Sequence, residues 1–210
     1  EVDELVFVDI AATQENREPD YALVDDFADD CFMPLTVGGG VRTLDQVGRL
    51  LAVGADKVAI NTSAVETPGL ITQIAQRYGA QCCVVSIDFR RPNGGKAEVF
   101  TASGTKATGL DPVAFAKECA ARGAGEILLT SIERDGTFEG YDIEMTRAVA
   151  SAVAIPVIAS GGCGNYDHMA EVLAKGKASA VAAASIFHFT EQTPLEAKRH
   201  LGAKGFRVRL

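Results

Sequence analysis

Residues 4–63 and 126–185 align without a gap when the chain is slid against itself by 122 positions. Twelve aligned positions are identical, where composition alone gives roughly four. They include Glu4/Glu126, Asp20/Asp142, Pro34/Pro156, Gly39/Gly161, Gly40/Gly162, Gly54/Gly176 and Ser63/Ser185. A duplicated segment of this length has to adopt the same local shape twice and pack against itself in a pseudo-symmetric way. Few architectures allow that.

The residue pattern narrows them further. Short apolar runs at 5–10, 34–37, 57–61, 82–88, 126–131, 156–160 and 180–187 are rich in Val, Ile and Ala. They are too continuous for strands with one wet face, so they read as strands of a parallel sheet buried on both sides. Amphipathic stretches at 20–30, 44–53, 68–78, 111–122, 143–154 and 167–174 lie between them, and 195–204 fits a closing helix. Gly54, Gly79, Gly123 and Gly176 stand where left-handed helix caps are expected. Residues 90–109 break the alternation; polar and Gly-rich around 98–101, they predict a β-hairpin excursion.

Seven strands in βα alternation leave a doubly wound open sheet or a barrel. The repeat favours the barrel. Each repeat holds three strands, and the run 82–88 opens the second half. Symmetry then places a matching strand about 35 residues before residue 1. The expected fold is an α/β single domain over 1–210: a (β/α)8 TIM barrel with a twofold half-barrel repeat. Its first strand and helix are expected to be absent from this chain, and its halves meet near 79–82.

Bulk properties limit the partners. The net charge is −8 with no basic block, and no apolar run reaches the ~18 residues of a membrane span. Neither nucleic acid nor membrane is expected, and an anionic ligand must be held by local donors. Five cysteines without CxxC spacing and three scattered histidines predict free thiols in a reducing cytoplasm and no metal.

Two glycine turns are the first candidates for chemistry. Val37-Gly38-Gly39-Gly40 and its mate Ala159-Ser160-Gly161-Gly162 each follow a strand and precede a helix. Glycine lets the backbone come close to an anion, and N–H groups at the following helix point at it. The pair predicts two phosphate sites across one barrel mouth, hence a long substrate with a phosphate at each end. The next turns, Asn61-Thr62-Ser63 and Ala184-Ser185, should add donors, although Asn61 and Thr62 also suit ordinary helix capping.

Asp88 ends the apolar strand Val84-Val85-Ser86-Ile87-Asp88. Catalytic groups of barrel enzymes sit at such strand ends, and a carboxylate there is costly unless paired or used. Asp9 and Asp135 reach similar mouth positions, with turn formation as the competing role for each. Thr101 and Ser103 in the hairpin are further polar candidates at the mouth. Strand parity places Glu4-Val6-Val8, Lys57-Ala59-Asn61 and Glu126-Leu128-Thr130 in three rows. If the rows face inward, Glu4, Lys57 and Glu126 lie at the floor and must pair with one another. Such a floor suits the entry of a small polar molecule. Solvated charges at strand starts are the alternative.

Several segments together resemble the cyclase-subunit family of imidazole glycerol phosphate synthase. They are Pro34-Leu35-Thr36-Val37-Gly38-Gly39-Gly40-Val41-Arg42, Gly54-Ala55-Asp56-Lys57-Val58-Ala59-Ile60-Asn61-Thr62, and Gly123-Ala124-Gly125-Glu126-Ile127-Leu128-Leu129-Thr130-Ser131. To these are added Arg134-Asp135-Gly136-Thr137 with Gly140-Tyr141-Asp142, then Ile158-Ala159-Ser160-Gly161-Gly162 and Ser185-Ile186-Phe187-His188-Phe189. The resemblance runs in order along nearly the whole chain. It implies a histidine-biosynthesis lyase without a cofactor. Ammonia from a partner glutaminase would convert a bis-phosphorylated ribulosyl aminoimidazole carboxamide ribonucleotide to imidazole glycerol phosphate and an aminoimidazole carboxamide ribonucleotide.

The resemblance also implies roles. Asp88 matches a general acid/base whose partner is an Asp on the first strand. Gly40, Asn61 and Thr62 match ligands of one phosphate; Gly161, Gly162, Ala184 and Ser185 match those of the other. Glu4, Lys57 and Glu126 match an ammonia gate, and Asp56 an interface with the glutaminase. Two paralogues share much of this pattern: an ammonia-dependent enzyme that amidinates a surface-glycan sugar, and the isomerase of the histidine pathway, which needs no floor gate. A truncated, non-catalytic binding barrel is the alternative of another class.

Overall fold

The computed structural model describes residues 2–209. Seven parallel strands follow one another around a curling sheet: β1 (Leu5–Val8), β2 (Leu35–Gly38), β3 (Lys57–Ile60), β4 (Cys83–Arg90), β7 (Glu126–Ser131), β8 (Val157–Ser160) and β9 (Ala180–Val181). Two further strands, β5 (Glu98–Thr101) and β6 (Lys106–Ala107), form the hairpin expected after 82–88, with β5 antiparallel to β4. The spatial order of the seven equals their chain order, and every neighbour is parallel. A doubly wound sheet would reverse direction at a switch point. None occurs among the described residues, so the arrangement is that of a (β/α)8-type barrel wall. Among the described residues the outer edges of β1 and β9 take no further strand.

Strand parity explains why the apolar runs are continuous. Val58, Ile60, Val85, Ile87, Phe89, Ile127 and Leu129 face the helices and belong to the largest buried cluster. Their neighbours Ala59, Val84 and Leu128 point the other way and form a separate inner cluster with Ile158 and Ala182. Both faces of the sheet are therefore dry where the strands pack, as parallel sheets require. On β1, at the open side, the inward residues Val6 and Val8 remain 36% and 45% exposed.

The helices are α1 (Tyr21–Asp29), α2 (Leu44–Ala52), α3 (Thr62–Glu66), α4 (Gly69–Tyr78), α5 (Pro112–Arg122), α6 (Ile143–Ala150), α7 (Tyr166–Lys175), α8 (Ser185–Phe189) and α9 (Pro194–Ala203). The duplication reaches their caps. Asp20 accepts from Leu23 N at the start of α1, and Asp142, 122 residues on, accepts from Met145 N at the start of α6. Thr43 and Asn165, again 122 apart, cap α2 and α7 through Gln46 N and His168 N. Each cap satisfies a donor that the first helical turn would otherwise leave free.

Three expectations need correction, the first being the left-handed cap at Gly176, which ends α7 in the right-handed helical conformation with φ −79°. The run 180–187 is a strand only over Ala180–Val181; the chain then turns into α8, the counterpart of α3. A continuous apolar run does not distinguish a strand from a short helix, since both bury it. The strand expected at 5–10 stops at Val8 because the Asp9 carboxylate accepts from Ala11 N and Ala12 N, closing a local turn. All five cysteines are free, and burial pushes the thiols of Cys83 and Cys119 up to about 12. Among the described residues no helix is long and apolar enough to cross a membrane.

Candidate active site

A cavity of about 470 Å³ opens at the C-terminal ends of β1 to β4 and β7. Its wall brings together Gly39, Gly40, Asn61, Thr62, Asp88, Thr130 and Asp135, with Asp9 and Ser103 at its edge. The glycines are there for a geometric reason. Gly39 has φ +103° and Gly40 φ +69°, and a Cβ on Gly39 would lie 2.3 Å from the Asp9 carbonyl oxygen. The second turn repeats this, with Gly161 at φ +86° and a Cβ there 2.6 Å from the Ser131 carbonyl oxygen. Asp9 and Ser131 are themselves 122 positions apart, so each turn packs against the same point of the preceding strand end. The Gly40 N–H donates to Thr13 Oγ1 at 3.3 Å, so an oxygen already sits where an anion's oxygen would bind.

Asp88 lies inward on β4, opposite Thr130 on β7, in the same row as Ser86. The Ser86 hydroxyl donates to its Oδ1 at 2.9 Å. Burial pushes the carboxyl up to about 6, with the Asp135 charge adding to it, against the lowering effect of the Ser86 and Thr130 bonds. A carboxyl with this value exchanges a proton readily near neutral pH. Asp135 contributes to this raised value while also standing in a loop, so its turn role and its electrostatic role coexist.

Other candidates are held in ways that the sequence did not show. Asn61 does not cap α3; its Nδ2 donates to the carbonyls of Ser86 at 3.2 Å and Phe100 at 3.1 Å. Thr62 Oγ1 accepts from Ala102 N at 3.0 Å and lies 3.3 Å from Asn61 Oδ1, to which it donates. These bonds fasten the β5–β6 hairpin to the turn between β3 and α3. Ser103, exposed at the hairpin tip, donates to the Ile10 carbonyl at 2.6 Å and closes the other side of the mouth. Asp9 is engaged by Arg17 at 3.0 Å, and that guanidinium bond, with the Ala11 and Ala12 amides, holds its carboxyl below the ordinary value. Thr101 is not brought to the cavity. It is buried in the hairpin, where its hydroxyl donates to the Lys106 carbonyl at 3.5 Å.

Ser160, Gly161, Gly162, Ala184 and Ser185 stand on β8 and at the start of α8, outside the wall of this cavity. Ser160 pairs in register with Thr130, which ties the second turn to the same mouth. Residues missed from sequence are Thr13 and Arg42. Arg42 is the only cation among the described residues lining the cavity. It follows the glycine turn directly, and its sign in a chain of net charge −8 was the available signal.

At the opposite end of the sheet, Lys57 Nζ lies 2.8 Å from Glu4 Oε2 and 2.7 Å from Glu126 Oε1. Burial pulls the ammonium down, and its bonds to Glu126 and Glu4 outweigh this and leave it above the ordinary lysine value. Lys57 is 12% exposed, so the cluster is a partly buried ion triad at the barrel floor. Asp56, beside it and exposed, accepts from Leu35 N at 2.8 Å and fixes the start of β2. Among the described residues no group of three His, Cys, Asp or Glu side chains is placed to hold a metal ion.

A family model described as histidine biosynthesis protein matches residues 1–193. The match covers both glycine turns, Asp88 and the whole floor triad. The chain belongs to the histidine biosynthesis protein family.

Proposed function

We propose that this chain is the ammonia-using cyclase of the family, acting on a ribulosyl aminoimidazole carboxamide ribonucleotide with a phosphate at each end. The observation that carries this reading over the isomerase is the Lys57–Glu4–Glu126 triad. A partly buried ion cluster is a costly way to close a barrel floor, because desolvation of Lys57 and Glu126 offsets part of its attraction. A small, polar, neutral molecule such as ammonia gains from a polar passage there, whereas an isomerase working wholly at the mouth does not.

The mouth suits the chemistry. The two glycine turns hold the terminal phosphates and so fix the reacting carbonyl between them. Ammonia entering from the floor attacks that carbonyl, water leaves, and ring closure releases the two products. Each step moves a proton, and Asp88, with its carboxyl at about 6, can accept and return one. A glutaminase seated beneath the floor, near Asp56, would supply the ammonia in the assembled enzyme.

The test compares two ammonia sources in a Lys57→Met variant of the complex with its glutaminase. The triad as a gate predicts that glutamine-fed turnover falls while turnover with added ammonium is kept or rises. Equal loss with both sources contradicts the gate, and with it the observation on which the cyclase reading stands.

A further inference from the structure

We propose that the Ser63 hydroxyl is a phosphate ligand of the first glycine turn, left without any other partner so that it can bind the anion. This rests on the reading that the cavity takes a phosphate, and it assigns the side-chain donor that holds it. Ser63 is the second residue of α3, is 6% exposed, and lines the cavity with Gly39, Gly40 and Thr62. Its Oγ is buried and makes no hydrogen bond among the described residues. Buried hydroxyls nearly always find a partner, and one left over beside a cavity calls for an explanation.

The neighbouring donors cannot serve as freely. Asn61 Nδ2 is committed to Ser86 O and Phe100 O, and the Thr62 hydroxyl accepts from Ala102 N and donates to Asn61. Those two residues hold the hairpin in place. Of the three side chains of the turn 61–63, Ser63 is the one that the local network leaves uncommitted among the described residues. The duplication points the same way. Ser63 and Ser185 are identical across the repeat, whereas the mate of Thr62 is Ala184, which has no hydroxyl. The hydroxyl shared by the two turns is therefore the serine.

A residue kept for a ligand should help binding and not folding, and this separates it from a structural serine. Inorganic phosphate is titrated into isotope-labelled protein, with the Gly39 and Gly40 amide resonances reporting the first turn and those of Gly161 and Gly162 the second. In Ser63→Ala the Gly39 and Gly40 midpoint should move to about tenfold higher phosphate, as expected for loss of one hydrogen bond to a charged group. The Gly161 and Gly162 midpoint should stay where it is. The phosphate-free variant should melt at or above the wild-type temperature, because a partnerless hydroxyl stabilises nothing. Ser63→Cys, similar in size but a weak donor, should behave like the alanine variant.

An unchanged Gly39 and Gly40 midpoint in both variants overturns the assignment. So does a lower melting temperature accompanied by an equal shift at both turns, which is the signature of a packing role. If phosphate moves neither pair of resonances in the wild type, the anion site itself is refuted. Absence of cyclase turnover with these shifts intact overturns the cyclase reading alone.

Discussion

Asp88 shows what burial does to one carboxyl. Its folded value of about 6 lies above the ordinary 3.8, so the unfolded state ionises first as pH rises. The associated stability is intact below pH 3.8 and is lost as pH climbs to about 6. At pH 8 the charged, buried group costs up to about 3 kcal/mol. Asp88→Asn should therefore unfold at higher denaturant than wild type at pH 8, with the gap closing towards pH 4. A variant less stable than wild type at both pH values contradicts this. If the ionised form is the working base, kcat/KM should fall on the acid side with a midpoint near 6, and a midpoint near 4 would separate Asp88 from the limiting step. Arg42, the one cation among the described residues of the cavity wall, should act through binding: Arg42→Met should raise KM about tenfold with kcat little changed. Asp88 could be read from sequence because a charge ending an apolar strand is conspicuous. Thr13 could not, and Arg42 offered only its sign in an acidic chain, since both lie on loops whose course depends on what they pack against. Thr101 looked like a mouth residue, but it sits on an antiparallel hairpin strand that turns its side chain into the core.

The strands and helices were largely legible because most apolar runs had two buried faces and most major helices began at a polar cap, α4 with Pro68 before it being the exception. The failures fall where tertiary contacts decide. Residues 180–187 break into a two-residue strand and α8, and Asp9 cuts β1 short through its own turn. At the hairpin tip Ala102, Ser103 and Gly104 all have φ between +50° and +76°, a conformation that sequence gives no reason to expect for Ala. Bonds from Thr62 and Ser103 hold it there. The paired caps allow a comparison between halves. Asp20→Ala should cost about 1 kcal/mol, as exposed caps do. Asp142→Ala should cost clearly more in the same denaturation assay, because Asp142 is buried and also ion-pairs with Arg91. Equal costs would mean that the Arg91 pair adds nothing. The floor triad joins β3 and β7 to the residue before β1. Lys57→Met should destabilise by about 2 kcal/mol, less than a fully buried pair because Glu4 is 43% exposed.

Across the whole molecule the duplication organises everything else. One translation of 122 residues carries strands, caps, glycine turns and short helices from one half to the other, and it leaves the two turns on one mouth above a charged floor. Within the aligned segments the halves differ at the second turn, where Thr62 meets Ala184, while Asp88 and the hairpin belong to β4, which lies between the two repeats. That arrangement suits a substrate long enough to reach both turns, with its reacting carbonyl over the carboxyl between them. Purified protein supplied with the ribulosyl bis-phosphate and ammonium settles the matter by product identification. Ammonium-dependent formation of imidazole glycerol phosphate is expected, lost in Asp88→Asn while substrate binding by calorimetry is retained. Ammonium-independent isomerisation, or undiminished turnover in Asp88→Asn, would contradict it.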